Sequence, residues 1–455
     1  MATRQLASWA TSLQYADLPS PVKQAAIRSF YNWTGCALGG SNHQTTTKAL
    51  KALSPFFGPP TSSILGRAGR TSNDDLPTRA DASHAALING IASHVHDYDD
   101  THLETIIHPT GPVASALLAQ AEASATKVSG QEFLLALVAG IEAECKVGLA
   151  VWPKHYDIGW HITSTTGSIG AAVAVGKLLN LSEEQMAHAI GIAATQVTGL
   201  REMFGSDTKC FHVGRSAQNG LMAAVLASNG YTSSLQALEA KRGWANVVSE
   251  KQNLTEQIDS LGKVWETEKN SFKPFPCGIV VHPIIDGCIQ LHDDIKEKGL
   301  SVSDITKIHT RVHPLVLELT GKKTPKDGLQ AKFSVYHGGA VGLVFGKAGP
   351  AQYEDEVVTS QQVTSIRDKI DAVADEKLGA DEAEIVAEFA DGQKLTKHIE
   401  HAIGSLEAPM TDEQLEQKFI DQVGQALGQE VASQASKSCW AIAETRTLGD
   451  VVNNL

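Results

Sequence analysis

The stretch from His94 to Val113 constrains this chain more than any other. His94, His96, His102 and His108 stand there among Asp97, Asp99, Asp100 and Glu104, between two apolar, alanine-rich segments. Titratable groups at that density sit badly in a helical core, because each buried charge needs a partner. The flanking segments are therefore expected to pack as helices that the stretch interrupts, either as a solvated polar loop or as a site. Proteins hold such clusters mainly where binding or chemistry requires them.

Before residue 265 the chain reads as almost entirely helical. Leu6, Trp9 and Leu13 recur at helical spacing, and Pro21–Leu38 runs to a helix stop at Gly39 and Gly40. Arg79–Val95, Val113–Ala125, Gly130–Val151 and Thr163–Leu179 follow, then helices from Ser182 and over His212–Gly230. Abundant Ala and Gly suit helices packed closely together. The pattern changes near Asn270. Ile305–Val312 alternates as a half-buried strand does, and Glu384–Ala390 turns at Asp391 and Gly392 into Lys394–Ile399, a hairpin signal. Phe333–Phe345 and Val363–Ala374 between them read as helical, and Thr411 to Gln414 caps a return to helix. A chain of 455 residues is too long for one simple core. The expected fold is mainly α: a helical domain from residues 1–268 and 405–455, with an α+β domain inserted over 269–404.

The formal net charge of -13 argues against a nucleic-acid partner, whose affinity comes from neutralised phosphates. If the ligand is an anion, its cations must be concentrated in a pocket. Cys36, Cys145, Cys210, Cys277, Cys288 and Cys439 form no CxxC pair, and no secretory signal precedes them. Reduced thiols in a cytoplasmic protein are the expectation, with a mitochondrial address left open by the basic N-terminus. No apolar run is long enough for a bilayer, so no membrane partner is expected. Neither a GxGxxG fingerprint nor a Walker loop is present, which argues against nucleotide cofactors, and a GxSxG elbow is also missing.

Four further segments carry candidate groups. His161 precedes a hydroxyl-rich helix start with Thr163 and Ser164; helix N-termini bind anions, and plain capping is the alternative. Lys209, His212 and Arg215 gather at the next helix, although a lone lysine is usually solvated surface. Lys273 and His282 flank prolines where the fold changes class. Domain junctions favour clefts, and prolines also simply mark turns. Lys332 to His337 opens a helix and reads as packing and surface.

In order along the chain, these segments resemble the MmgE/PrpD family, which includes 2-methylcitrate dehydratases, cis-aconitate decarboxylases and iminodisuccinate epimerases. The resemblance rests on Asp97 to Thr101 with His108 and Pro109, and on Gly159 to His161 with Thr163 and Gly167. Thr208 and Lys209 with His212, Gly214 and Arg215, Lys273 with Pro276, Cys277 and His282, and finally Ala331 to Ser334 complete it. It implies a helical domain built from both chain ends, an inserted α+β lid, a site in the cleft between them, a homodimer, and no required metal or organic cofactor. By position it makes His108 the catalytic histidine, with Asp97, Lys209 and His161 in the catalytic group. Thr101, Lys273, His282, Thr163, His212 and Arg215 then bind substrate. Two departures bear on the substrate: Thr101 and His108 are spaced more widely than in the animal decarboxylases, and Gly278 stands where those carry a histidine.

The expected activity is acid/base chemistry next to a carboxylate of a small di- or tricarboxylate. Cis-aconitate decarboxylation comes first, with 2-methylcitrate dehydration and iminodisuccinate epimerisation as alternatives. Lysines would hold the carboxylates and His108 would move the proton, with Asp97 orienting the imidazole and favouring its charged form. Two other classes stay open: a metal-dependent hydrolase using ligands from 94–108, and a non-catalytic binding protein.

Overall fold

The computed structural model describes residues 1–67 and 76–455. It is mainly α with a small sheet-containing region. The long helices Ser20–Gly39, Ala82–His94, Thr110–Ala123, Gly130–Val151, Ile162–Leu178 and Asp207–Ser228 pack on one another. Their close approach comes from small residues. A Cβ on Gly90 would lie 2.5 Å from the Gly214 Cα, and one on Gly214 would lie 2.2 Å from the Leu87 carbonyl oxygen. This crossing brings the C-terminal end of Ala82–His94 to the first turn of Asp207–Ser228. It is the crossing that sets His94 beside Lys209.

Among the described residues, two large hydrophobic cores stand beside two small clusters. One is made by residues between Ala2 and Phe272 together with residues between Met410 and Leu455, and the other lies between Phe275 and Leu395. The second core is covered by a sheet in the order Ile370–Ala374, Ile305–Val312, Ala383–Phe389, Lys394–Ile399. The first pair is parallel and the others antiparallel. Along Ala383–Phe389 every second residue is buried, as alternation on a half-covered sheet requires. Helices His282–Glu297 and Val335–Phe345 pack together beneath it. Helix Asp412–Leu427 returns to the first core, opened by a capping box between Thr411 and Gln414.

Several sequence expectations shift. The helix expected over Val363–Ala374 is helix Gln361–Arg367 followed by strand Ile370–Ala374, paired parallel to Ile308–Val312. Val363, Ile366, Ile370 and Val373 fit a helical stripe locally, but distant pairing takes the second half, leaving Val373 54% exposed. Arg79 and Ala80 form a short strand, and the helix behind them starts at Ala82 under the Asp81 cap. The helix expected from His212 begins at Asp207, which puts Lys209 on its first turn. The polar stretch itself contributes a strand, Asp100–His102, antiparallel to Asn270–Phe272. No helix among the described residues is long and apolar enough to cross a membrane.

Candidate active site

The site is assembled where helices end. Asp97 follows helix Ala82–His94 and has a left-handed backbone, with φ 50°, a conformation that Asp tolerates better than most residues. Thr101 is the middle residue of the short strand and pairs with Ser271, so the partner strand runs directly into Lys273. His108 stands just ahead of helix Thr110–Ala123, and His161 is the N-cap of Ile162–Leu178. The solvated-loop reading of the polar stretch fails: His94, Asp97, Asp99, Asp100, Thr101, His102 and His108 are all buried.

Asp97 is the hub. Its carboxylate accepts from the Lys209 ammonium at 3.0 Å and from Lys273 at 2.5 Å. Burial alone would push this carboxyl up, but Lys209 and Lys273 outweigh it and hold it well below the usual range. Burial would likewise lower Lys273, and Asp97 turns that into a raised value. Lys209 also donates to His94 Nε2 at 2.8 Å and lies over the rings of Phe204 and Phe333. His94 Nδ1 is 2.8 Å from Asp99 Oδ2. A carboxylate held low by His94 against the effect of burial can only accept, so Nδ1 carries the proton and Nε2 receives the lysine's. Asp99 and His94 thus aim Lys209. Replacing His94 by Asn should lower kcat/KM by roughly 10–100-fold, the value of one hydrogen bond to a charged group. Initial-rate kinetics check this, and an unchanged kcat/KM would mean Lys209 needs no such support.

The imidazole of His108 is fixed from one side. Its Nδ1 lies 2.8 Å from the Asp100 carbonyl and 3.2 Å from the Thr101 hydroxyl. A carbonyl accepts only, so the proton sits on Nδ1 and Nε2 is a bare lone pair. Nε2 is 4.0 Å from Asp97 Oδ1, too far for a hydrogen bond. Burial, and then Lys273, pushes the imidazole down to about 3. The expectation that Asp97 favours the charged form is therefore corrected: two lysines already take up that carboxylate, and the resting imidazole is neutral. The His108 backbone N–H donates to the Thr163 hydroxyl at 3.1 Å. Thr163 is thus a strut for the loop, and Ser164 donates to the Thr198 carbonyl; neither caps the helix.

Asp97, His108, His161, Lys209 and Lys273 line one cavity of about 40 Å3, together with Tyr156, Phe204 and Phe333. Its remaining wall includes Gly278, Ile279, Val280, Leu319 and Thr320. His161 Nδ1 is 3.0 Å from His212 Nδ1, and burial first, then Lys209, holds His161 well below its ordinary value. His212 therefore backs His161 from outside the cavity lining. His282 is buried near Lys273, on the far side of Ile279 and Val280. Arg215 is not brought to the site. It lies a turn and a half beyond Lys209 and donates to Gln218.

Sequence reasoning passed over four groups. Asp99 and the tautomer-setting carbonyl of Asp100 are legible only as contacts. Lys332, expected at the surface, is buried and donates to the carbonyls of His96 and Pro276, and burial lowers it to about 8. Lys418, on the C-terminal return, donates to Asn32 Oδ1 and to the carbonyls of Tyr98 and Lys273. Each lysine ties together backbone from distant segments, and no local pattern marks such a role.

His94, Asp97 and His108 each offer an atom within 4.8 Å of the others, a grouping that could hold a metal. The charge argues otherwise. Asp97 already faces two ammonium groups and His94 Nε2 faces one of them, so a divalent cation would sit against like charge. The arrangement suits an anion, with spare N–H donors on both lysines and a base between them.

Residues 4–257 match the family model described as the MmgE/PrpD N-terminal domain, and residues 275–442 match the MmgE/PrpD C-terminal domain. A "Cis-aconitate decarboxylase-like protein oryM" of Aspergillus oryzae is 27% identical over 92% of this chain and 89% of its own length. The cis-aconitate decarboxylase of Homo sapiens is 26% identical over 92% of this chain and 86% of its own. The 2-methylcitrate dehydratase of Salmonella typhimurium is 24% identical over 52% of each.

Proposed function

From the premise that this chain belongs to the MmgE/PrpD family, we propose that it is a lyase acting on a small di- or tricarboxylate, with cis-aconitate decarboxylation as its reaction. One observation carries this reading: a neutral imidazole with a bare Nε2 faces a buried cavity in which two lysines supply the positive charge. The matches to decarboxylases extend over most of the chain, whereas those to 2-methylcitrate dehydratases cover about half.

In this mechanism Lys209 and Lys273 receive substrate carboxylates on their free N–H donors. A polyanion beside His108 raises the imidazole, which arrives as a weak base and becomes protonated once the substrate's charge is present. Loss of CO2 leaves a carbanion next to a carboxylate, stabilised by the ammonium groups. The imidazolium then delivers its proton to that carbon from Nε2, while the Asp100 carbonyl holds Nδ1–H. Dehydration or epimerisation uses the same imidazole first as base, on the proton beside the carboxylate.

The 40 Å3 cavity has room for about three waters. A tricarboxylate therefore enters only when the wall from Gly278, Ile279, Val280, Leu319, Thr320 and Phe333 moves away. This is the lid role of the inserted segment, over 269–404. The reading includes a homodimer, for which Met222, Leu226, Tyr231 and Val247 offer an exposed apolar face; light scattering on the purified protein should give twice the 48.4 kDa chain mass.

Proton NMR in D2O tests the reaction. Itaconate forming from cis-aconitate supports decarboxylation, and 2-methylaconitate from 2-methylcitrate would replace it with dehydration. Deuterium entering iminodisuccinate without loss of a group would make the enzyme an epimerase. No change in any of the three sinks the reading.

A further inference from the structure

Pairing between strands Asp100–His102 and Asn270–Phe272 ends at Asp100 and Phe272. Just beyond that end stand Asp97 and Lys273. Among the described residues no backbone–backbone hydrogen bond joins 96–99 to 273–276. Side chains join them instead. Lys418 donates to the carbonyls of Tyr98 and Lys273 at 2.6 and 2.8 Å, and the Tyr98 hydroxyl donates to the Pro274 carbonyl at 2.9 Å. Lys332 donates to the carbonyls of His96 and Pro276 at 2.9 and 3.2 Å. We propose that Lys332 is a positioning residue for the Asp97–Lys273 pair, through which the region of the second core holds the Asp97 turn in register with the Lys273 segment. The proposal rests on the catalytic reading above and adds to it a residue that touches no substrate.

Three observations support it. The first is the origin of each lysine. Lys332 lies between Ala331 and Val335, both in the second core, whereas His96 follows helix Ala82–His94, which contributes Ala85, Ala86 and Ile88 to the first. Lys418 lies between Leu415 and Phe419, also in the first core. The two segments are thus pegged from both regions, and the bond from Lys332 to His96 crosses between them.

The second is what the fold gives up to keep this group. Lys332 is 3% exposed, and among the described residues no carboxylate forms an ion pair with it. Burial lowers it, and Asp97 and Glu354 favour its charge only in part. Buried ammonium groups are ordinarily paired, and an apolar side chain of the same volume is often no worse for stability. A lysine kept here for two carbonyls is kept for what those carbonyls place.

The third is its own backbone. The Lys332 carbonyl accepts from the Gly278 N–H at 3.0 Å, and Gly278 and the adjoining Phe333 both line the catalytic cavity. Phe333 stacks on Phe204, with the Lys209 ammonium over both rings. One residue thereby seats a wall of the cavity and the register of its charged pair, while its own side chain stays out of the lining.

The test is Lys332→Met in the full-length protein, which keeps an apolar stem and removes the donors. kcat should fall roughly 10–100-fold and KM change less than about threefold, because the reacting groups lose alignment and not identity. Tm should stay within about 2 °C, since the desolvated charge that is removed offsets the two lost hydrogen bonds. Amide exchange over 96–101 and 270–278 should quicken roughly tenfold, with helix Gly130–Val151 unchanged. Unchanged kcat, unchanged exchange or an effect confined to KM overturns the proposal. So does a variant that fails to fold or loses Tm in step with activity, which would make Lys332 a structural tie. If the unmodified protein turns over none of the three substrates, the catalytic reading fails by itself and exchange decides the register: faster exchange at the two segments supports it, and equal exchange refutes it.

Discussion

Replacing His108 by alanine should lower kcat by roughly 10²–10⁴-fold, the usual contribution of a positioned acid/base group, while the protein remains folded. The structure explains both halves. The His108 ring lines the cavity with Lys209 and Lys273, and the other imidazole there, His161, is held well below its ordinary value by burial and Lys209 and makes a poor substitute. The imidazole is neutral when the site is empty, so its removal unbalances no charge. What is lost is the bond to the Asp100 carbonyl and the contact with Thr101, about 1–3 kcal/mol for groups left unsatisfied. Circular dichroism should match the unmodified protein. Proton NMR adds a sharper check. With the ring pushed down to about 3 by burial and Lys273, the His108 resonance should stay at its neutral position from pH 8 to about 5, where an ordinary histidine near 6.5 would protonate. Tricarballylate, a polyanion without the reacting double bond, should move that titration upward. Full activity in the alanine variant would refute the assignment.

Asp97→Asn should damage both stability and turnover. The side chain keeps its size but no longer balances the Lys209 and Lys273 ammonium groups, both buried. Breaking a buried ion pair by removing one partner costs about 3–5 kcal/mol. For a chain of this length unfolding as one unit, that is a fall in Tm of about 3–5 °C. The direction with pH follows from the lysines. Without Asp97, burial lowers Lys273 below its ordinary 10.5 in the folded state. Between that lowered value and 10.5 the unfolded chain then binds more protons, so the variant gains stability as pH rises. In the unmodified protein Lys273 is raised instead, so its contribution is full below 10.5 and is lost only as pH rises beyond it, while Asp97 sets the sign in acid. Its depressed carboxyl gives stability that is present above about 4 and lost on strong acidification. Thermal melts of both proteins between pH 7 and 10 read the difference. Equal melts at every pH would mean that Asp97 does not hold the two lysines.

Most of the helical scaffold is legible locally. Gly130–Val151 matches its expected ends, and Ser182, Thr411 and Gly39 mark boundaries within a residue or two, because a capping side chain or a helix-stopping glycine acts within one turn. The hairpin through Asp391 and Gly392 was equally readable, since its alternation and turn lie within adjacent residues. The strand Ile370–Ala374 was not, because its partner Ile308–Val312 lies about sixty residues earlier. Nor were Asp100–His102 and Asn270–Phe272, which are too short for a pattern and form only by meeting each other.

For the site, the sequence by itself determined the inventory. Asp97, His108, His161, Lys209 and Lys273 could be named from their order and chemistry, and the structure brings them to one small cavity. Thr101, Thr163, His212, His282 and Arg215 were named on the same grounds and do not line it. Only the tertiary structure decided the protonation state and the aim of each group. Charge on an imidazole depends on which carbonyl, carboxylate or ammonium stands within a few ångströms and on how much water is excluded, and both are set by segments far apart in the chain. Asp97 looks like a partner for His108 until two lysines from separate elements occupy it. His282 reads as one more site histidine until the fold buries both its ring nitrogens outside the cavity lining.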